Sequence, residues 1–252
     1  MKNNTDYREE DMLFKKVNSI LRTSGINYWV CHGTLLGIVR DSMILPWDND
    51  IDFAVWKDEV QIEYIEQLFR NNGFQQEYIF GEMDCLHFET NTKKVDISFY
   101  EKDKTTASVK WIAPNRKFLD RIYSFIVERL YMPKIINKIK CKKSDIRLLV
   151  KCFLTNILIF VEPFLSLKFK EKLYKKIKRG FTYTGYSYPL ELMNFKTISF
   201  LGESIPIPVD SEKCLELTYG LDWKIPKKNY IWYHEAKNLV NMEKDNDKII
   251  SK

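Results

Sequence analysis

The chain is poor in the features that staple, export or span. It has five cysteines, Cys31, Cys85, Cys141, Cys152 and Cys214, an odd number with no Cys-x-x-Cys pair. That pattern excludes a disulfide framework and reads as small buried hydrophobes in a reducing compartment. The N-terminal stretch MKNNTDYREED has no apolar run, so no signal peptide is expected. No stretch reaches the ~18 uncharged apolar residues of a membrane-spanning helix. Leu148 to Leu167 comes nearest, and Lys151, Asn156, Glu162 and Pro163 interrupt it. No internal repeat and no nucleic-acid-binding motif is visible, so no nucleic-acid partner is expected. What remains is 252 residues, 45% hydrophobic and 14% aromatic. That is enough for a sizeable core in one domain, or in one domain with a large insertion.

The net charge of +6 is unevenly spread. From Lys134 to Arg179 fourteen Lys/Arg face only Asp145, Glu162 and Glu171, a local charge of +11 that leaves −5 for the rest. An anionic partner for that segment follows, either a membrane surface or a polyanion. A helix with Lys/Arg on one face and Leu/Phe/Ile on the other lies in a membrane interface; an ordinary solvated helix pair has the same composition.

The most informative stretch is HGTLLGIVRDSMILPWDNDIDFAV, His32 to Val55. A Gly33-Thr34 turn precedes three aspartates at alternate positions, Asp48, Asp50 and Asp52. In a strand, residues two apart share a face, so the three carboxylates stack while Ile51, Phe53 and Val55 point into a core. At roughly 6–7 Å each pair repels by about 2–3 kcal/mol at an effective dielectric near 20. The simplest offset is a bound cation. An all-oxygen cluster suits Mg²⁺ (or Mn²⁺) held together with substrate phosphates.

Around it the pattern predicts a helix over 6–24 closed by Gly25, and a short strand from Ile26 to Cys31. A helix over 35–40, the acidic strand and a helix over 57–72 closed by Gly73 come next. Strands are expected near 74–80, 84–90 and 94–100. In the last, Asp96 alternates with Val95, Ile97 and Phe99, and pairing beside the first acidic strand brings it to the same cluster. Helices are expected over 116–182, then a hairpin in TISFLGESIPIPVD. A short helix capped by Asp210 or Ser211 follows and ends at Tyr219-Gly220. Residues after about 236 are expected to fray. The partition is 1–115, a catalytic core; 116–182, a basic helical insertion; and 183–252, completing the site.

This is the logic of a nucleotidyl-transfer site: a strand-to-helix turn aims backbone N–H groups at phosphate, and strand acids hold the metal. Arg40 is the candidate phosphate fork, with an ion pair to Asp41 or Asp48 as its structural alternative. His32 either touches donor phosphate or packs. His87, on a strand, either faces the site beside Asp96 or has a purely structural place there.

The succession HGTLLG, an arginine, PWDNDID, a VDI strand and an IP–YG element resembles the LicD family, which includes the fukutin-like sugar-phosphate transferases. The resemblance covers about 28–100 and 197–226. It implies an α/β (α+β) architecture, the DNA-polymerase-β-like nucleotidyltransferase fold, with a mixed sheet and flanking helices. It implies metal-dependent transfer of a substituted phosphate, phosphocholine or a polyol phosphate, from a CDP-linked donor to a cell-surface glycan hydroxyl, releasing CMP. It carries metal binding onto Asp50 and Asp52, with Asp48 adjacent and Asp96 as the third strand acid, and site shaping onto Tyr219, Gly220 and Trp223. Relatives often have an acid where this chain has Asn49. Spacing from Gly33-Thr34 alone favours Asp48 and Asp50 as the metal pair. The acceptor implied is a glycan or lipid-linked glycan, and the location cytoplasmic, peripheral on the inner face of the plasma membrane through 134–179. Two other readings stand beside this one. The first is a transferase moving a whole nucleotide onto a small molecule or protein, with pyrophosphate as product. The second is an idle membrane-associated scaffold.

Overall fold

A computed structural model describes residues 8–77, 84–113, 122, 125–126, 146–178 and 182–241. The chain divides into two units, Met1–Trp111 with Tyr183–Lys252, and Ile112–Thr182.

The first unit is a mixed sheet with flanking helices. Helix α1 (Glu9–Thr23) buries Phe14, Val17 and Leu21 completely, a 3/4-spaced stripe. Gly25, at φ 72°, ends it in the left-handed conformation that glycine takes most cheaply. Strand β1 (Tyr28–Val30) leads into α2 (His32–Asp41), and β2 (Asp50–Trp56) returns antiparallel to β1. Helix α3 (Ile62–Asn71), which buries Ile65 and Phe69, carries the chain to β3 (Gln75–Glu77), β4 (Cys85–Glu89) and β5 (Lys94–Lys102). Strand β5 lies parallel to β2, with Asp52 opposite Asp96, and antiparallel to β4. The other pairings in the sheet are antiparallel: β3 with β4, β5 with β6 (Thr106–Ser108), and β6 with β8 (Thr182–Pro189). Between the last two, β7 (Trp111–Ala113) runs from one unit into the other.

Strand β2 is packed on both faces. Ile51, Phe53 and Val55 join a core with α1 and α3. Ala54 and Trp56 join a second core with Trp29, Tyr100, Tyr186 and Tyr188. Asp52 shares the face of this second set and is itself buried. The hairpin β9 (Phe195–Phe200) and β10 (Glu203–Pro208) turns at Leu201 and Gly202, both at positive φ, the conformation that matches strand twist in a two-residue turn. Helix α6 (Ser211–Tyr219) follows it, then α7 (Trp232–Glu235).

The second unit contains α4 (Ile146–Val161), a 3-10 turn (Glu162–Phe164) and α5 (Leu167–Lys178). Among the described residues no helix is long and apolar enough to cross a membrane. Much of the expected basic helical segment, including Lys134 to Asp145, lies outside the described residues.

Four expectations change. The residues after 236 do not simply fray: β11 (Leu239–Asn241) pairs antiparallel with β8, because β8 offers a free edge and Leu239 packs on the second core. Residues 242–252 lie outside the described residues. Helix α3 starts at Ile62, not at 57, since Lys57 still donates its N–H to Tyr100 of β5. Helix α2 starts at His32, so Gly33 and Thr34 form its first turn. Asp48 precedes β2: its N–H donates to the Leu45 carbonyl across the Pro46-Trp47 turn.

Candidate active site

The site begins where β1 becomes α2. Cys31 is extended, and His32 adopts φ 47°, so the chain turns sharply into a helix whose first N–H groups have no partner within the helix. Asp52 supplies one. Thr34 N–H donates to Asp52 Oδ2 at 3.3 Å, and Asp52 N–H donates to Thr34 Oγ1 at 2.8 Å. A carboxylate from a neighbouring strand thus caps the positive end of α2. Gly33 stands beside it. A Cβ there would lie 2.0 Å from Asp48 Oδ2 and 3.5 Å from Asp52 Oδ2. Any larger residue would push the Asp48 carboxylate away from the helix, while Asp52 could stay.

Asp48 reaches the same place from the loop. Asn49 N–H donates to its Oδ1 at 3.0 Å. Lys93, in the β4–β5 turn, is buried beneath the loop and donates its ammonium to the carbonyls of Leu45 (3.0 Å) and Asp48. Asp48, Asp50 and Asp52 thereby bring one carboxylate oxygen each within 4.8 Å of the others. The cluster predicted for one strand face is assembled from a loop and a strand.

Burial sets its electrostatics. Desolvation, and then the charge and hydrogen bond of Asp50, push the Asp48 carboxyl up to about 8. Asp52 is raised well above the carboxylate range by burial and then by Asp50, Asp48 and Asp96; the Thr34 N–H opposes this.

Asp96 neighbours Asp52 across the parallel pair but has its own partner. His87, directly opposite on β4, donates Nδ1–H to Asp96 Oδ1 at 2.8 Å, and both side chains are buried. Burial raises Asp96, and His87 works against that. His87 Nε2 has no hydrogen-bond partner among the described residues. Cys85, His87 and Asp96 form a second close group, of mixed S, N and O donors, apart from the all-oxygen trio.

The remaining candidates divide. His32 is buried, its Nε2 meets the Tyr100 hydroxyl at 3.2 Å, and its ring packs 4.4 Å from Tyr186. Burial pushes it down to about 3, so it is a neutral packed imidazole and not a cation for phosphate. Arg40 forks onto Asp41, Nε to Oδ1 at 3.0 Å and Nη2 to Oδ2 at 2.8 Å, and donates Nη1–H to the Trp223 carbonyl at 3.3 Å. Its structural alternative is the observed one, and the fork ties α2 to the segment after α6. The Trp223 ring packs in the first core. The Tyr219 ring lies tilted against Tyr230, centroids 4.8 Å apart, and Gly220 at φ 93° ends α6. Lys93 escaped the sequence reading, since no local pattern marks a turn lysine that will be buried under a distant loop.

An acidic trio at the head of a helix, beside a strand-borne carboxylate paired with histidine, has the composition of a phosphate-transfer centre. Residues 25–131 match the family model described as LicD/FKTN/FKRP, nucleotidyltransferase domain. Over those residues the chain is similar to the nucleotidyltransferase domain of the LicD family. An uncharacterised protein of Rickettsia typhi is 29% identical over 93 residues, 36% of this chain and 28% of that one. Human FKRP, a ribitol 5-phosphate transferase, is 39% identical over 44 residues, 18% of this chain and 9% of that one. The chain spans less than a third of the curated relatives it matches. Among solved structures, the antibiotic-resistance factor ANT(2'')-Ia aligns over 67% of this chain and 90% of its own, at 11% identity and a TM-score of 0.32.

Proposed function

We propose that this protein transfers a substituted phosphate, phosphocholine or a polyol phosphate, from a CDP-linked donor to a glycan hydroxyl with a divalent cation bound. The fold is read as the DNA-polymerase-β-like nucleotidyltransferase fold. The carrying observation is the convergence of Asp48, Asp50 and Asp52 at the head of α2, within 4.8 Å of one another. The family match and the ribitol 5-phosphate transferase named among its human relatives support the direction of the chemistry.

The residues present fit Mg²⁺ or Mn²⁺. All three donors are hard carboxylate oxygens, and the missing Cβ of Gly33 lets the Asp48 carboxylate lie against the head of α2. Burial drives Asp48 and Asp52 toward the protonated state when no cation is present. Asp50 and Asp52 are the assigned pair, with Asp48 as the third ligand. When bound, the ion neutralises donor phosphate oxygens. Thr34 holds Asp52 in place, and Lys93 holds the loop that carries Asp48. Asp96, oriented through Oδ1 by His87, takes the acceptor hydroxyl proton on Oδ2. The freed oxygen bonds to the distal phosphorus in line, the bond from that phosphorus to the CMP oxygen breaks, and CMP leaves with the electron pair.

The test is incubation with a panel of CDP-linked donors and cell-envelope glycans, with Mg²⁺ or with EDTA, followed by mass spectrometry. The reading requires a glycan heavier by one substituted phosphate, stoichiometric CMP, and no product in EDTA. A nucleotide added to the acceptor with pyrophosphate released from a nucleoside triphosphate would replace it with nucleotidyl transfer. No turnover and no Mg²⁺ binding would leave a scaffold.

A further inference from the structure

The second unit exposes a run of large apolar side chains. In α4, Val150, Phe153, Leu154, Ile157, Phe160 and Val161 are all exposed. At 100° per residue these six positions fall within one arc of about 120°. Phe153 is 66% exposed and Phe160 74%, and the chain continues through Phe164 at 77% and Leu167 at 67%. Large apolar side chains in one contiguous stripe mark a surface that meets something.

The charge carried by these segments of the chain is one-sided. Residues 146–178 hold eight Lys/Arg against Glu162 and Glu171, and Lys170 pairs with Glu162. On α5, Lys168, Lys172 and Lys175 are exposed. Their i, i+4, i+7 spacing puts them on one helix face.

Three kinds of partner are separated by this chemistry. A second copy would set one strongly basic surface against another. A nucleic acid would take the lysines and leave the phenylalanines in water. An anionic lipid surface takes both: headgroup phosphates meet the lysines, and the hydrocarbon boundary takes the phenylalanines. With 16 residues, α4 is about 24 Å long, shorter than the ~30 Å hydrocarbon layer, so it can lie along the interface but not cross it. We propose that α4, the Glu162–Phe164 turn and α5 form an interfacial patch that seats the protein on an anionic lipid bilayer. The patch is independent of the transfer reading, and its test reads binding alone.

The full chain is sedimented with vesicles of phosphatidylcholine, or of phosphatidylcholine mixed with phosphatidylglycerol, at low and at high salt. Binding to the anionic vesicles should exceed binding to the neutral ones by about tenfold or more at low salt and fall as salt rises. Lys168→Gln/Lys172→Gln/Lys175→Gln should lose the anionic preference. Phe153→Ser/Phe160→Ser/Phe164→Ser should lose the part of binding that survives high salt. Helical circular dichroism checks that both variants are folded, which exposed positions favour. No vesicle binding at low salt overturns the proposal. So does equal binding of wild type and both variants, or a dimer in sedimentation velocity that the phenylalanine variant dissolves while vesicles are ignored.

Discussion

Asp52 and Asp96 sit opposite each other on parallel strands, equally withdrawn from water, yet their surroundings differ. Asp96 faces His87, whose N–H offsets much of the cost of burying a carboxylate. Asp52 faces Asp48 and Asp50, and among the described residues only Thr34 at the start of α2 offers it a hydrogen bond. Within one register position the sheet builds a carboxylate kept company by a proton carrier and a carboxylate that lacks a positive partner. In the function proposed above, the first exchanges a proton and the second takes up a cation.

The sharpest way to break this contrast is to remove one acid from the uncompensated side. Asp50→Asn or Asp52→Asn should lower turnover on the order of 10³-fold or more while the protein stays folded. In both variants the rise in melting temperature that Mg²⁺ gives the wild type should shrink. Near-normal turnover in either would remove that residue from the metal pair.

On the compensated side, Asp96→Asn should cost about 10²–10⁴-fold in turnover, the usual range for a general base, with little change in melting temperature. Loss of melting temperature with activity per folded molecule preserved would make Asp96 structural. His87→Phe should cost less, about tenfold, and act through Asp96. Without the histidine N–H the Asp96 carboxyl rises further, so the acidic limb of the pH–rate profile should move to higher pH. His87→Gln, which still has a donor, should recover part of that movement. An unmoved limb would detach His87 from the proton transfer.

Stability without metal offers a third test. Asp48 is raised from 3.8 to about 8 in the folded protein. The folded state therefore binds this proton more tightly than the unfolded chain does, and stability falls as pH rises through the window from about 4 to 8. In EDTA the protein should melt lower at pH 8 than at pH 5. Asp48→Asn should flatten that decline, and Mg²⁺ at pH 8 should reverse it. A metal-free melting temperature that climbs over this window would contradict the electrostatics of the trio.

The smallest effect is expected at Arg40. Its fork is occupied by Asp41 and the Trp223 carbonyl. Arg40→Lys should therefore cost about 1–3 kcal/mol of stability, the range for hydrogen bonds to charged groups, and leave the donor KM unchanged. A raised KM with unchanged stability would restore Arg40 to the donor phosphates.

Local pattern made much of this legible. Ile51, Phe53 and Val55 alternate with acids and are fully buried, and Val95, Ile97 and Phe99 do the same around Asp96. Both strands could be read because a two-residue period is written in neighbouring residues. Their parallel pairing could not, because it depends on residues far apart in the chain. Asp48 was placed on the strand because its spacing fits; the Pro46-Trp47 turn takes it off the strand and Lys93 fixes it there. Arg40 and Asp41 stand side by side in the sequence, but choosing between a phosphate and the adjacent carboxylate requires the depth of the side chain. Leu239–Asn241 looked like a charged tail because an open strand edge elsewhere in the chain leaves no mark on local composition.

The parallel pairing of β2 with β5 also governs when the centre comes into being. The acidic segment and Asp96 reach each other only after the intervening helix and strands have closed a long crossover, a non-local contact of the kind that forms slowly. The same closure slides Lys93 beneath the Asp48 loop. The position of Asp96 beside Asp52 and the anchoring of the Asp48 loop thus both depend on β5 and the turn before it. A chain that ends at its acidic strand would carry Asp48, Asp50 and Asp52 without Asp96, His87 or Lys93.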